Sequence, residues 1–245
     1  MQLFPTPSWY NVPMNVHILH SWNVSPSEAI SLQKRLAERV SHCSTLTPNY
    51  RLVAGVDVAC SRFSNHLFAG VVVCDRKNWE VIETAEVATE TSFPYIPGLL
   101  SFREAPGVLE AFDRLRCRPD VVLVDGAGFA HPRRFGLACH LGVLLNLPTI
   151  GVAKSRLIGN YREPALRRGS ATRLVSDGET IGRVVRTRAG VRPLFVSIGH
   201  RISLDEAVRV VLASTSRYRL PEPIRAAHQH VGSLCRRSRC KESHA

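Results

Sequence analysis

The chain has 245 residues, 44% of them hydrophobic, enough to bury a sizeable core in one domain. Lys and Arg number 32 against 20 Asp and Glu, and this net charge of +12 points to a polyanionic partner, because basic side chains displace the counterions condensed on nucleic-acid phosphates. No apolar run reaches the roughly 18 residues a membrane helix needs, so no membrane partner is expected.

The first 24 residues contain no Lys or Arg and place three prolines before Met14, so they read as an irregular extension without the charged start of a signal peptide. Ser25 and Glu28 stand at capping-box spacing with Pro26 at the first helical position. Ala29, Leu32, Leu36 and Val40 then repeat at helical intervals, which predicts an amphipathic helix. "RLVAGVDVAC", "LFAGVVVCD" and "WEVIETAEVATE" are β runs separated by short polar turns, the pattern of an antiparallel meander. "FPYIPG" interrupts the pattern, and "SFREAPGVLEAFDRL" continues as a helix. "DVVLVD" as a strand, "RRFGLACHLGVLLN" as a helix and "PTIGVA" as a strand alternate as parallel βαβ units do. A polar, arginine-rich insertion over residues 156–178 leads to the strands "TIGRVVRTR" and "PLFVSIG". The helices "SLDEAVRVVLAS" and "EPIRAAHQHVGSL" follow, and residues 233–245 read as a basic, disordered tail. The expected fold is α/β, a mixed sheet with helices on both faces, in one domain over residues 25–232.

Seven cysteines are scattered, and Cys60, Cys74 and Cys139 fall in apolar stretches, so free thiols in a reducing cytoplasm are expected. Cys235 and Cys240 are too far apart for a zinc knuckle.

Three carboxylates stand out. Alternation puts Leu52, Ala54, Val56 and Val58 on one strand face and Val53, Gly55, Asp57 and Ala59 on the other. Asp57 is then a charge among apolar neighbours, and must be paired, protonated or metal-bound. A hydrogen-bonded core aspartate is the plainer alternative. Gly55 on the same face leaves room for a close approach to the backbone. Asp125 ends a central strand at the carboxyl edge, where open α/β sheets bind ligands, although a helix cap would also suit it. Glu104, near the start of its helix, could equally be a surface residue. Together they form the oxygen donor set that hard cations such as magnesium prefer, and two such ions would activate water and stabilise a leaving oxygen. No G-x-x-x-x-G-K-[ST] loop and no HExxH pair offers another route to phosphate chemistry.

"GVDVA", "FPYIPGLLSFRE", "DVVLVDGAGFAHPRRFGLACHLG", "PTIGVAKSRL" and "RLPEPIRAAH" occur in an order and spacing that resembles the endonuclease V family, over residues 25–232. The resemblance implies an RNase H-like fold and hydrolysis dependent on Mg2+, with Mn2+ able to substitute. The implied cut is at the second phosphodiester bond 3′ to inosine. It makes Asp57, Glu104 and Asp125 the metal-site carboxylates, His228 the histidine near the attacking water, and Lys154 the phosphate contact. Tyr95, between Pro94 and Pro97 and next to Ile96, resembles the family's wedge. The pocket for the extruded base would be built around Gly126, Gly128, His131 and Gly136. Ala127 departs from the family, which commonly has a polar residue there, as does Ile198, where a proline or small residue is frequent. The partner implied is inosine-containing DNA, with RNA left open, and a monomer is expected. Another RNase H-like nuclease, or a non-cleaving inosine-binding protein, remains the rival reading.

Overall fold

The computed structural model describes residues 14–60 and 65–242. Its elements are α1 (Pro26–Ala37), β1 (Leu52–Cys60), β2 (His66–Asp75), β3 (Val81–Glu90), α2 (Leu100–Asp113), β4 (Val121–Val124), α3 (Leu137–Leu145) and β5 (Thr149–Ala153). There follow β6 (Asn160–Tyr161), β7 (Ala171–Ser176), β8 (Glu179–Val185), β9 (Leu194–His200), α4 (Leu204–Ala213) and α5 (Glu222–Glu242). The strands form one sheet in the order β3-β2-β1-β4-β5-β9-β8-β7-β6. The β1-β2-β3 meander is antiparallel, β1, β4 and β5 run parallel, and β9 returns antiparallel to β5. This is the mixed, RNase H-like sheet that the alternation of elements and the resemblance lead one to expect.

The strand alternation fixes the two layers. Leu52, Ala54 and Val56 face a core shared with Val108 and Phe112 of α2 and Leu141 and Leu144 of α3. Val53 faces the opposite core, with Val210 and Val211 of α4 and Ile224 of α5. The space beside Gly55 is filled by α5 itself, since a Cβ there would lie 2.1 Å from the carbonyl carbon and oxygen of Pro223. The capping box predicted at Ser25 and Glu28 is present, and Ser203 with Glu206 forms a second at the start of α4. Pro106 and Gly107 lie inside α2, where helix propensity opposes them, and packing of Val108 and Phe112 in the first of these cores offsets that cost.

Four expectations are corrected. The insertion at 156–178 contains β6 and β7, which extend the sheet through a hairpin whose turn, Asp177-Gly178, has φ of +55° and +79°. Those two positive values mark the two-residue turn that suits strand twist. α3 begins at Leu137 rather than at the arginines, because Gly136 is its N-cap and Arg134 has φ of +54°. α5 continues helically to Glu242, ten residues into the expected disordered tail, and Arg237 within it donates to Glu86 of β3. Residues 14–24 are irregular as expected but packed, with Met14 in the main core and His17 N donating to Leu144 O at 2.7 Å. Residues 1–13 and 243–245, and the Cys60 side chain, lie outside the described residues; Cys74 and Cys139 are buried free thiols.

Candidate active site

Register brings the aspartates together. β1 and β4 pair Val56 with Val124, and Asp125 N donates to Val56 O at 3.2 Å. The next residue on each strand is an aspartate, so Asp57 and Asp125 emerge side by side at the carboxyl edge, and Glu104 reaches them from α2. Their charges register on one another. Burial raises the proton affinity of Asp57, and the Asp125 charge raises it further. Glu104 is pushed up to about 8, by burial first and then by Asp57 and Asp125.

Three cationic or basic groups answer this charge. Lys154, just past the end of β5, donates from Nζ to Asp125 Oδ2. His228 Nδ1 lies 3.0 Å from Asp57 Oδ2, in a position set by the contact of α5 with Gly55. Arg219, to which the sequence assigns no role although it opens the segment "RLPEPIRAAH", donates from Nη2 to Lys154 O at 2.8 Å and to Pro193 O at 2.7 Å. It thus holds the backbone that carries Lys154, and it feels the Asp125 charge.

The donor set suits a hard divalent cation. Crowded carboxylates whose proton affinity is raised by one another gain most from a shared positive charge. Among the described residues no three His, Cys, Asp or Glu side chains already stand as a metal-binding group. Lys154 and His228 hold an oxygen each of Asp125 and Asp57. A cation would have to loosen those contacts.

Beside the carboxylates opens a cleft of about 160 Å³. Tyr95, Ile96, Gly126, His131 and Gly136 line it, as do Gln33, Ser101 and Leu157. Tyr95 is 71% exposed and so is no core residue. His131 is buried, its Nδ1 accepting from Arg133 N at 3.2 Å and its Nε2 donating to Gly98 O at 3.0 Å. Burial, with Arg133 nearby, lowers its pKa to about 4 and keeps the ring neutral. Gln33 is a lining residue that helical periodicity disguises as core: it shares the buried face of α1 with Ala29 and Leu36. Its Nε2 donates to Gly98 O and Phe135 O, both at 3.0 Å.

A family profile described as Endonuclease V matches residues 34–229. The chain belongs to the endonuclease V family. It is 51% identical over 223 residues to an endonuclease V of Dehalococcoides mccartyi, covering 90% of this chain and 100% of that one. The crystal structure of the Streptomyces avermitilis endonuclease V is similar with a TM-score of 0.84 at 46% identity, covering 94% of this chain and 100% of that one. An endonuclease V from Ciona intestinalis, crystallised with a 24mer DNA containing an inosine followed by a ribo-adenosine, aligns with a TM-score of 0.76 at 28% identity, over 86% and 98% of the two chains.

Within this endonuclease V framework the three glycines expected around the base divide into two kinds. A Cβ on Gly128 would sit 2.1 Å from Ile198 O, and one on Gly136 2.3 Å from Ala127 O. Both are required by backbone packing, and Gly128 does not line the cleft. Gly126 is different: its Cβ would meet nothing closer than Leu137 at 3.9 Å. The fold leaves its small size unexplained, whereas the cleft explains it.

Proposed function

We propose that this chain is a metal-dependent DNA-repair endonuclease of the cytoplasm that recognises deoxyinosine, the product of adenine deamination. It hydrolyses the second phosphodiester bond on the 3′ side and leaves a 5′-phosphate. The observation that carries the reading is adjacency: Asp125 belongs to the carboxylate edge and the very next residue, Gly126, lines the cleft. Base recognition and hydrolysis then share one strand end.

Asp57, Glu104 and Asp125 would hold Mg2+, or Mn2+ in its place, and the ion would supply Lewis-acid activation of water and stabilisation of the leaving oxygen. The protein supplies the rest. The excess of basic residues draws in the phosphate backbone. Tyr95, exposed between two prolines, fills the gap left when a base is extruded, and Ile96 forms the wall beside it. Extrusion costs a few kcal/mol and least at a mispair, which favours a lesion over normal duplex. His228, whose Nδ1 lies 3.0 Å from Asp57 Oδ2, is the base placed to take a proton from water. Lys154 Nζ, released from Asp125, is placed to meet a phosphate oxygen.

An inosine-specific ribonuclease of the same fold is the second reading, since the difference rests on contacts to the 2′-hydroxyl. The test is cleavage of matched oligonucleotides carrying deoxyinosine, uracil, an abasic site or riboinosine, with Mg2+, Mn2+ or Ca2+. A nick one nucleotide beyond deoxyinosine, present in Mg2+ and lost in Asp57→Asn and Asp125→Asn while binding persists, is expected. Faster riboinosine cleavage would favour the ribonuclease, and near-normal nicking by either variant would overturn the metal-site assignment.

A further inference from the structure

The arginine-rich stretch inserted after β5 gathers on the edge of the sheet that carries Asp125. β5 runs parallel to β4, and the antiparallel pairs Ala153–Phe195, Val185–Leu194 and Ala171–Val185 bring the chain out at that same end after β5, between β8 and β9 and before β7. Residues 154–162, 164–170, 187–193 and 217–221 meet there, with Lys or Arg in each segment and not one Asp or Glu. Arg167, Arg188 and Arg192 are exposed, and among the described residues none of the three has a carboxylate partner. Glu163, the acid that precedes the second segment, is taken by Arg186 at 2.7 Å.

Like charges on loop tips repel, yet here the loops are fastened together. Arg186, only 3% exposed, directs Nε to Ala165 O at 3.3 Å, Nη2 to Pro164 O at 2.8 Å and Nη1 to Val191 O. Gly190 N donates to Leu166 O at 3.0 Å between the same two loops. Arg219 ties the second loop to the catalytic edge: its carbonyl accepts from Thr187 Oγ1 at 2.7 Å, and its guanidinium holds Pro193 O and Lys154 O. Burial, and then the charge of Arg192, lower the proton affinity of Arg219. Burying a guanidinium costs desolvation that an apolar plug would avoid. What the arrangement secures is a fixed row of positive charge that begins at Lys154 and leads to two loops that take no part in lining the cleft.

We propose that Arg167, Arg188 and Arg192 form a docking ledge for the phosphate backbone of a duplex on the 3′ side of the cut. The direction rests on the proposed function. With inosine held at Gly126 and the second bond beyond it cut at Asp125, the strand runs 5′ to 3′ from the cleft towards Lys154. The phosphates that follow meet the loops fastened by Arg219 and Arg186. Guanidinium forks suit phosphate oxygens, which accept two parallel hydrogen bonds. Such contacts position the strand and carry no base information, so the ledge acts equally on damaged and undamaged DNA.

The test combines Arg167→Gln, Arg188→Gln and Arg192→Gln in one variant and measures its binding to inosine and undamaged duplexes against salt, in chelator. Each phosphate contact adds about 0.9 to the steepness of log affinity against log salt, so the steepness should fall by about 2–3 on both duplexes. Tm should stay at the wild-type value, because the three side chains are exposed and unpaired. Inosine duplexes with uncharged methylphosphonate linkages beyond the cut, or in equal number 5′ to inosine, locate the contact. The variant should bind as tightly as wild type when the 3′ linkages are neutral and keep its deficit when the 5′ ones are. The opposite pattern, or an unchanged salt dependence, overturns the ledge. A wild-type protein that nicks no inosine strand, with the salt dependence still reduced in the variant, overturns the proposed function alone.

Discussion

Gly55→Ala should damage stability and catalysis by one displacement. The added Cβ would lie 2.1 Å from both the carbonyl carbon and oxygen of Pro223 and 2.6 Å from Ile224 N. All three are backbone atoms, so no rotamer change relieves the overlap. An ordinary carbon contact begins near 3.5 Å, so the two elements must part by roughly 1.4 Å. β1 cannot be the one to move, because it is hydrogen-bonded along both edges, to β2 and to β4. α5 must retreat. Overpacking of this kind costs about 1–3 kcal/mol, and at about 2–4 °C per kcal/mol for a chain of this size Tm should fall by about 2–12 °C. The same retreat carries His228 away from Asp57, stretching a 3.0 Å contact beyond hydrogen-bond range. Misplacement by about 1 Å lowers a rate by about a hundred-fold. Scanning calorimetry and single-turnover nicking of a deoxyinosine duplex measure the two effects. A variant with wild-type Tm and wild-type nicking would refute the account of how α5 is seated.

Gly126→Ala should keep the wild-type Tm and lose about a hundred-fold in inosine nicking as its methyl displaces the base by about 1 Å, whereas Gly128→Ala should lower Tm; the reverse order in thermal melts would show that Gly126 serves the fold. Tyr95→Ala should weaken nicking of inosine duplex about ten- to a hundred-fold, the equivalent of roughly 1–3 kcal/mol of stacking. A single strand has no opposing base to displace and should suffer less, and Tm should not change, so equal losses on both substrates with a lowered Tm would make Tyr95 structural. For Glu104, the folded protein keeps a proton to about 8 that the unfolded chain has released near the usual 4.5. The folded state therefore binds more protons in that window, and in chelator its stability should fall as pH rises from 4.5 to 8. Glu104→Gln should flatten that fall in denaturant titrations, and an unaltered slope would place the titration elsewhere.

What could be read from the sequence followed short-range rules. The period of two in β1 assigned both of its faces correctly, and the Ser25–Glu28 spacing located the start of α1. Asp57 was conspicuous because a charge in such a strand must be accounted for. Elsewhere the decisive partners were distant in the chain. The pattern around Gly128 and Gly136 looks the same as that around Gly126, and only the approach of Ile198 and Ala127 separates them. Gln33 follows the apolar stripe of its helix and reveals its polar task only when Gly98 and Phe135 close over it. β6 and β7 are short and at the sheet margin, inside an arginine-rich segment, so hydrophobic alternation was faint. The run after residue 232 is polar enough to look unstructured, and Arg237 finds Glu86 only once β3 is folded beneath it.

The shared peptide bond between Asp125 and Gly126 makes the strand end a ruler with a fixed zero. The two Cα atoms are held about 3.8 Å apart, and the strand beneath them is locked into the centre of a nine-stranded sheet. On the proposed function, the offset between the base that is read and the bond that is cut is therefore a property of the scaffold. On that reading, substitutions in residues 95–101 would retune which base is accepted without moving the point of scission. Because both residues follow the same strand, sliding β4 against β1 would carry them together and leave that spacing unchanged.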